Sequence, residues 1–255
     1  MIAALLVAAP AQAQDEAAAV ARASERGRAM YAYDRAAWLG TDDMLAKLRE
    51  PEKKVAGYIV EGPVAEPRLI FFDRAATPQA VYRARFAGSK LVEGKVLDGG
   101  DDRTINPETQ RMIAALAIAR KAIEASGDAR PCEAKPFNTI VLPPASPGAA
   151  IPVYFLTPQV TNDRIPFGGH FQIDVAPDGA AEPIRRFANS CITMPIDTKG
   201  AALFITHLRD SVPTEVHVFT SLAIRKPVLV GTMKPKPRVW TVAGDRIGAP
   251  RDLKQ

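Results

Sequence analysis

Val55 to Val60, Arg68 to Asp73, Ala80 to Phe86 and Lys90 to Leu97 are short runs rich in β-branched and aromatic residues, each closed by Gly, Pro or an Ala-rich turn. A chain punctuated in this way builds sheets from short strands, and these runs predict a four-stranded antiparallel meander. The Phe86-Ala87-Gly88-Ser89-Lys90 joint is its clearest hairpin, because Gly88 can take the positive φ that a tight reversal needs. Tyr82, Ala84 and Phe86 alternate with Arg83 and Arg85, which places one face in the interior and the other in water. Of the 255 residues, 22 are Pro and 17 Gly, 47% are hydrophobic and 24% charged. That composition excludes a coiled coil, a collagen-like repeat and a disordered chain.

Helical signals flank the meander. Residues 15–39 are rich in Ala, Arg and Glu, with Val20, Tyr31 and Trp38 at near-helical intervals and Gly40 where a helix would stop. Thr41 then offers an N-cap to a second helix, with Asp42 and Asp43 in its first turn and Met44, Leu45 and Leu48 as its apolar face. Asn106-Pro107-Glu108 opens another helix, whose Met112, Leu116, Ala119 and Ile123 form one stripe that ends at Ser126-Gly127. That stripe is expected to pack on the meander. The rest reads as strands: Thr139 to Leu142, Pro152 to Leu156, Gly169 to Val175, Pro183 to Phe187, Ala202 to His207, Thr214 to Thr220, Pro227 to Gly231 and Arg238 to Val242, with a hairpin turn at Asp178-Gly179. No glycine-rich phosphate pattern follows any of them, and without strand–helix alternation a doubly wound nucleotide-binding fold is not expected.

The expected class is therefore α+β: N-terminal helices, an antiparallel meander with one amphipathic helix, then a mainly antiparallel β half. The organisation read from the sequence is residues 1–13 as a signal peptide, 14–127 as the helical and meander half, and 128–255 as the β-rich half, packed together as one unit. The signal-peptide reading rests on the apolar run Ile2 to Ala9, then Pro10-Ala11-Gln12-Ala13 as a small-x-small site before the polar Gln14-Asp15-Glu16. Cleavage after Ala13 would place the mature chain in the periplasm or outside the cell. No later segment reaches the roughly 18 apolar residues of a membrane span. In an oxidising compartment the only two cysteines, Cys132 and Cys191, are expected to be bridged. The net charge of +5 is spread along the chain, so nucleic acid is not an expected partner, and Lys234-Pro235-Lys236-Pro237-Arg238 reads as an extended surface segment.

The segments Met30-Tyr-Ala-Tyr-Asp34-Arg-Ala-Ala-Trp38, Phe137-Asn-Thr-Ile-Val-Leu-Pro-Pro144, Val153-Tyr-Phe-Leu-Thr-Pro-Gln159, Gly168-Gly-His-Phe171 and Thr206 to Phe219 resemble a family of uncharacterised exported, periplasmic proteins of Gram-negative bacteria. The likeness runs from about Arg28 to Ile247. It implies export and a shared architecture. No activity is attached to that family, so the resemblance carries no site residue across.

Candidate chemistry gathers in the second half, where all three histidines, His170, His207 and His217, fall. Glu215 and His217 would share one strand face, as would His170, Gln172 and Asp174. Were those strands neighbours, two or three histidines and a carboxylate (Asp174 or Glu215) would suit a divalent metal or a general acid–base pair. The competing reading makes each histidine a half-buried strand residue satisfied by hydrogen bonds. It is preferred, so neither a metal nor a cofactor is expected. Ser190, Ser211 and Ser221 lack the flanking pattern of a nucleophile, and a disulfide would silence Cys191. Gly168-Gly169 reads as a tight turn or a close backbone approach. Tyr31, Tyr33 and Trp38 read as packing residues before ligand-groove residues. The expected function is a non-enzymatic envelope binding or interaction protein, taking an envelope protein or small ligand through its second half. The alternative is an envelope hydrolase or metal-dependent enzyme using His170, His207 and His217.

Overall fold

A computed structural model describes residues 11–197 and 199–253 and has the α+β architecture read from the sequence. The apolar run 2–9 lies outside the described residues. Two compact units are present: of the described residues, 29–197 form the larger, and 11–28 with 199–253 form the smaller. The segment 128–136, expected as a boundary, lies inside the larger unit, where the Cys132–Cys191 disulfide holds it.

In the larger unit, the second part of helix α1 (Ala11–Lys47) is followed by the short α2 (Pro51–Lys54). The expected helix pair is one continuous helix through Gly40 and Thr41. Gly40 serves packing rather than termination, since a Cβ there would stand 2.2 Å from Cδ2 of the buried Leu69. Thr41 caps nothing; its hydroxyl donates to the Ala37 carbonyl at 2.6 Å, inside the helix.

The meander follows the expected order, β1 (Gly57–Glu61), β2 (Arg68–Phe72), β3 (Ala80–Ala87) and β4 (Lys90–Val96), all antiparallel. Gly88 turns the β3–β4 hairpin at φ +56°. Tyr82, Ala84 and Phe86 are buried, as their alternation with Arg83 and Arg85 requires. The α1 helix covers this face: Gly40 meets Leu69 and Phe86, and the Tyr82 hydroxyl donates to Asp43 Oδ2 at 2.6 Å.

Helix α3 (Pro107–Ala125) begins as expected, with Asn106 Oδ1 accepting the Thr109 N–H at 2.8 Å. Its stripe of Met112, Leu116, Ala119 and Ile123 is buried and packs on β1. The same helix packs on a second antiparallel sheet of β5 (Asn138–Val141), β6 (Ile151–Leu156), β8 (Phe171–Val175) and β9 (Arg185–Arg186). One hydrophobic cluster therefore joins Ile59, Ile70 and Phe72 of the meander to Val153, Phe155 and Ile173 through α3. A small ribbon, β7 (Arg164–Pro166) with β10 (Thr193–Pro195), was not legible in the sequence.

The smaller unit overturns one element of the reading. Residues 214–220, expected as a strand, belong to helix α4 (Glu215–Ile224), which links β11 (Leu203–His207) to β12 (Val228–Thr232) as a parallel pair. The alternation of Val216, Val218 and Thr220 imitates a strand, but Pro213-Thr214 starts a helix and Arg225, at φ 54°, ends it. Thr220, where the expected strand ended, and Ser221 are buried in that helix. Antiparallel β13 (Arg238–Ala243) extends the sheet and carries the two-residue strands β14 (Arg246–Ile247) and β15 (Arg251–Asp252). Arg238 is buried rather than superficial: its Nη1 and Nη2 donate to the Glu16 carboxylate at 3.0 and 2.7 Å.

Within this unit α4 packs on β12 and β13 and meets α1 at Gly27. A Cβ on Gly27 would stand 2.5 Å from Val218 Cβ and 2.7 Å from the Glu215 carbonyl oxygen. Helix propensity alone favours Ala over Gly by about 1 kcal/mol. Because the obstacles are backbone and a β-branched stem, Gly27→Ala is expected to destabilise the protein by about 2 kcal/mol or more, read as a lower urea midpoint with unchanged slope.

Candidate functional site

The three histidines do not all belong to one unit. His170 belongs to the larger unit, His207 and His217 to the smaller. His170 is 3% exposed, and both ring nitrogens are engaged: Nδ1 accepts the Thr157 N–H at 3.1 Å, and Nε2 donates to the Pro166 carbonyl at 3.1 Å. Burial pushes its pKa down to about 4, against a smaller upward pull from the Pro166 carbonyl. The two glycines before it permit close approach. A Cβ on Gly168 would meet the Ser190 carbonyl oxygen at 2.3 Å, and Gly169, at φ +67°, faces Cys132 and Thr157. Gln172 and Asp174 bond to each other at 2.6 Å, and Arg185 donates to Gln172.

His207 ends β11, and His217 lies in the first turn of α4. Their rings meet edge to face with centroids 4.8 Å apart. His207 Nε2 donates to Asp210 Oδ2 at 2.8 Å, and His217 Nδ1 accepts the Thr214 N–H at 3.0 Å. Both contacts tie the β11–α4 loop to the elements it joins. Glu215, expected beside His217 on one strand face, is instead about 200° away around a helix. Its carboxylate faces Arg26 at 3.9 Å. Among the described residues no group of three or more His, Cys, Asp or Glu is arranged to hold a metal ion.

The aromatic residues of α1 serve packing. The Tyr33 hydroxyl donates to the Gly62 carbonyl at 2.7 Å, while Trp38, 55% exposed, lies under the Arg35 guanidinium. Asp34, in the same helix, lines a small recess with Tyr58 and Thr139. Burial there raises its pKa to about 6, against the lowering effect of Arg35.

A cavity with room for a ligand lies elsewhere in the larger unit, in a groove of about 440 Å³ on the meander face opposite α1. Helix α3 packs along the β1 side of this face, in one cluster with Ile59, Ile70 and Phe72, because a helix is about 10 Å wide and strands lie about 4.8 Å apart. The strands beyond are left open. Cross-strand register lines up Glu61, Arg68, Arg85 and Glu93 in one row, and Ile70, Arg83 and Lys95 in the next. Arg68 pairs with Glu61 at 3.2 Å, and Arg85 grips Glu93 Oε2 through Nε and Nη2 at 2.9 and 2.8 Å. Lys95 pairs with Asp101 on the loop that walls the groove. Arg83 has no carboxylate partner among the described residues: its Nη2 donates to the Thr104 carbonyl, and its buried Nε has no hydrogen-bond partner.

Of the groove residues, the sequence reading puts only Arg83 and Arg85 on a solvated sheet face. The signal present there was Arg83 and Arg85 at period two beside a hairpin whose register sets Arg83 against Lys95. The α3 N-terminus beside that face has a local signature, but the placing of the 97–106 loop over it does not. Comparison with family models, curated proteins and solved structures yields no match.

Two outcomes follow from the buried groups. His217→Ala is expected to lower stability by about 1–3 kcal/mol through the lost acceptor for the Thr214 N–H and the lost ring contact, measured by urea denaturation. His170 and Asp34 act oppositely on acidification. Between pH 6.5 and 4 the unfolded chain protonates His170 and the folded chain does not, so stability falls, by up to about 3 kcal/mol. Between pH 6 and about 3.8 the folded chain protonates Asp34 before the unfolded chain does, so stability rises. Asp34→Asn is therefore expected to be more stable than the parent at pH 7. It should also lose stability more steeply from pH 6.5 to 4, in denaturation curves at fixed ionic strength.

Proposed function

We propose that this is an exported protein that binds a ligand without transforming it, and that the groove over β2, β3 and β4 is where it binds. The groove carries the reading, because it combines ligand-sized volume, a rigid sheet floor and an uncompensated guanidinium. Its place differs from the β-rich second half expected from the sequence. Export is supported by the Cys132–Cys191 bridge, by the apolar run at residues 2–9, and by the resemblance to exported proteins of Gram-negative bacteria. No described helix is long and apolar enough to cross a membrane. The engagement of His170 by Thr157 and Pro166, and of His207 and His217 by the loop between them, favours structural roles over catalysis.

The test is a small-molecule screen by protein-observed NMR on protein recovered from the periplasm of an expressing Gram-negative host. The expected result is a mature mass beginning at Gln14 and at least one compound whose shifts centre on residues 68–70, 83–85 and 93–97. Compounds that perturb only other surfaces would overturn the groove. Turnover of any compound, abolished by His207→Asn or His217→Asn in a folded variant, would replace binding with the enzymatic reading.

A further inference from the structure

The groove is lined by four cations and two carboxylates, but its charges are not equally available. Glu61 is the most committed: beyond Arg68, it accepts from Asn106 Nδ2 at 3.1 Å and from the Thr109 hydroxyl at the start of α3. The positive end of that helix is therefore already met by a protein carboxylate. Arg85 is held by Glu93, and Lys95 by Asp101. Arg83 alone faces the groove with only a backbone carbonyl as partner, and Asp102, which feels its charge, is a fully exposed loop residue. A groove-lining guanidinium with no carboxylate in ion-pair range favours an incoming oxyanion, which adds a charge-assisted hydrogen bond. Beside Arg83 in its row is Ile70, and Leu97 follows Lys95; both are packed against the hydrophobic cluster beneath α3.

From this arrangement, and resting on the reading of the groove as the binding site, we infer that its ligand is a small amphipathic monocarboxylate. Its carboxylate sits on Arg83, and its apolar body lies over Ile70 and Leu97. A dicarboxylate or a phosphate dianion would bring a second charge for which no unpaired cation remains. An uncharged apolar molecule would leave the Arg83 guanidinium without a carboxylate. The Arg83–carboxylate contact sets orientation, and the length of the apolar body sets affinity.

Isothermal titration of the wild-type protein with butyrate, hexanoate, octanoate, octanol, octylamine and succinate at low ionic strength tests this. Affinity is expected to rise roughly two- to fourfold per added methylene from butyrate to octanoate. Octanol and succinate are expected to bind at least about tenfold more weakly than octanoate, and octylamine not at all. Arg83→Gln is expected to weaken octanoate about tenfold or more, and Lys95→Gln less than about threefold, with thermal melts confirming that both variants fold. The wild-type series decides the matter even if Arg83→Gln does not fold. Equal affinity for octanol and octanoate, tighter binding of succinate, or octanoate binding indifferent to Arg83→Gln would overturn the inference. If the acids fail while another compound perturbs the groove, the ligand class is wrong and the binding reading stands; if no compound perturbs the groove, both fall.

Discussion

A four-stranded meander is wider than one helix, and the larger unit is organised by that mismatch. The α1 helix takes one face, where Gly40 lets it settle against Leu69 and Phe86. On the other face α3 divides its apolar stripe between β1 and the second sheet, reaching β6 and β8. It cannot also cover β3 and β4. The side chains left there are long cations, which bury their stems along the apolar floor while their charged ends reach partners around the rim. The groove is thus a consequence of which strands the helix reaches, and its charge is a consequence of what can stand at an uncovered position.

Much of the architecture was legible because it is local. The Gly88 hairpin, the Asn106-Pro107-Glu108 start of α3 and its four-residue stripe are each encoded within a few neighbouring residues, and each is found where the pattern placed it. The failures share a cause. Gly40 looks like a stop and Thr41 like a cap until Leu69, far along the chain, explains the glycine. Val216, Val218 and Thr220 look like a strand until the buried sheet beneath α4 makes an almost wholly buried helix acceptable there. In both places a long-range contact overrides a local preference.

The candidate site shows the same division. The histidines stood out in the sequence because they are few, yet their roles follow from the hydrogen bonds that each already makes. His170 is an internal hydrogen-bonding post between Thr157 and Pro166, next to a disulfide and two glycines that bring four chain segments together. Arg83 did not stand out, being one of 33 basic residues, and only the pairing of its neighbours with Glu61, Glu93 and Asp101 marks it as the one left over. A residue defined by what its neighbours already hold has no signature of its own in a linear pattern.

The smaller unit is assembled from two segments far apart in the sequence, with Gly27 of α1 against α4 and Glu16 against Arg238. Strands β12 and β13 follow the whole of the larger unit in the sequence, so the first part of α1 meets α4 and Arg238 only after the residues of the larger unit have been made. The larger unit, including both cysteines, is contiguous and can close earlier. Maturation is therefore ordered by connectivity: the middle of the chain can reach its bridged form while the leading helix still waits. Loss of β13 would then take Arg238 away from Glu16 on the first part of α1, far along the sequence from the lesion.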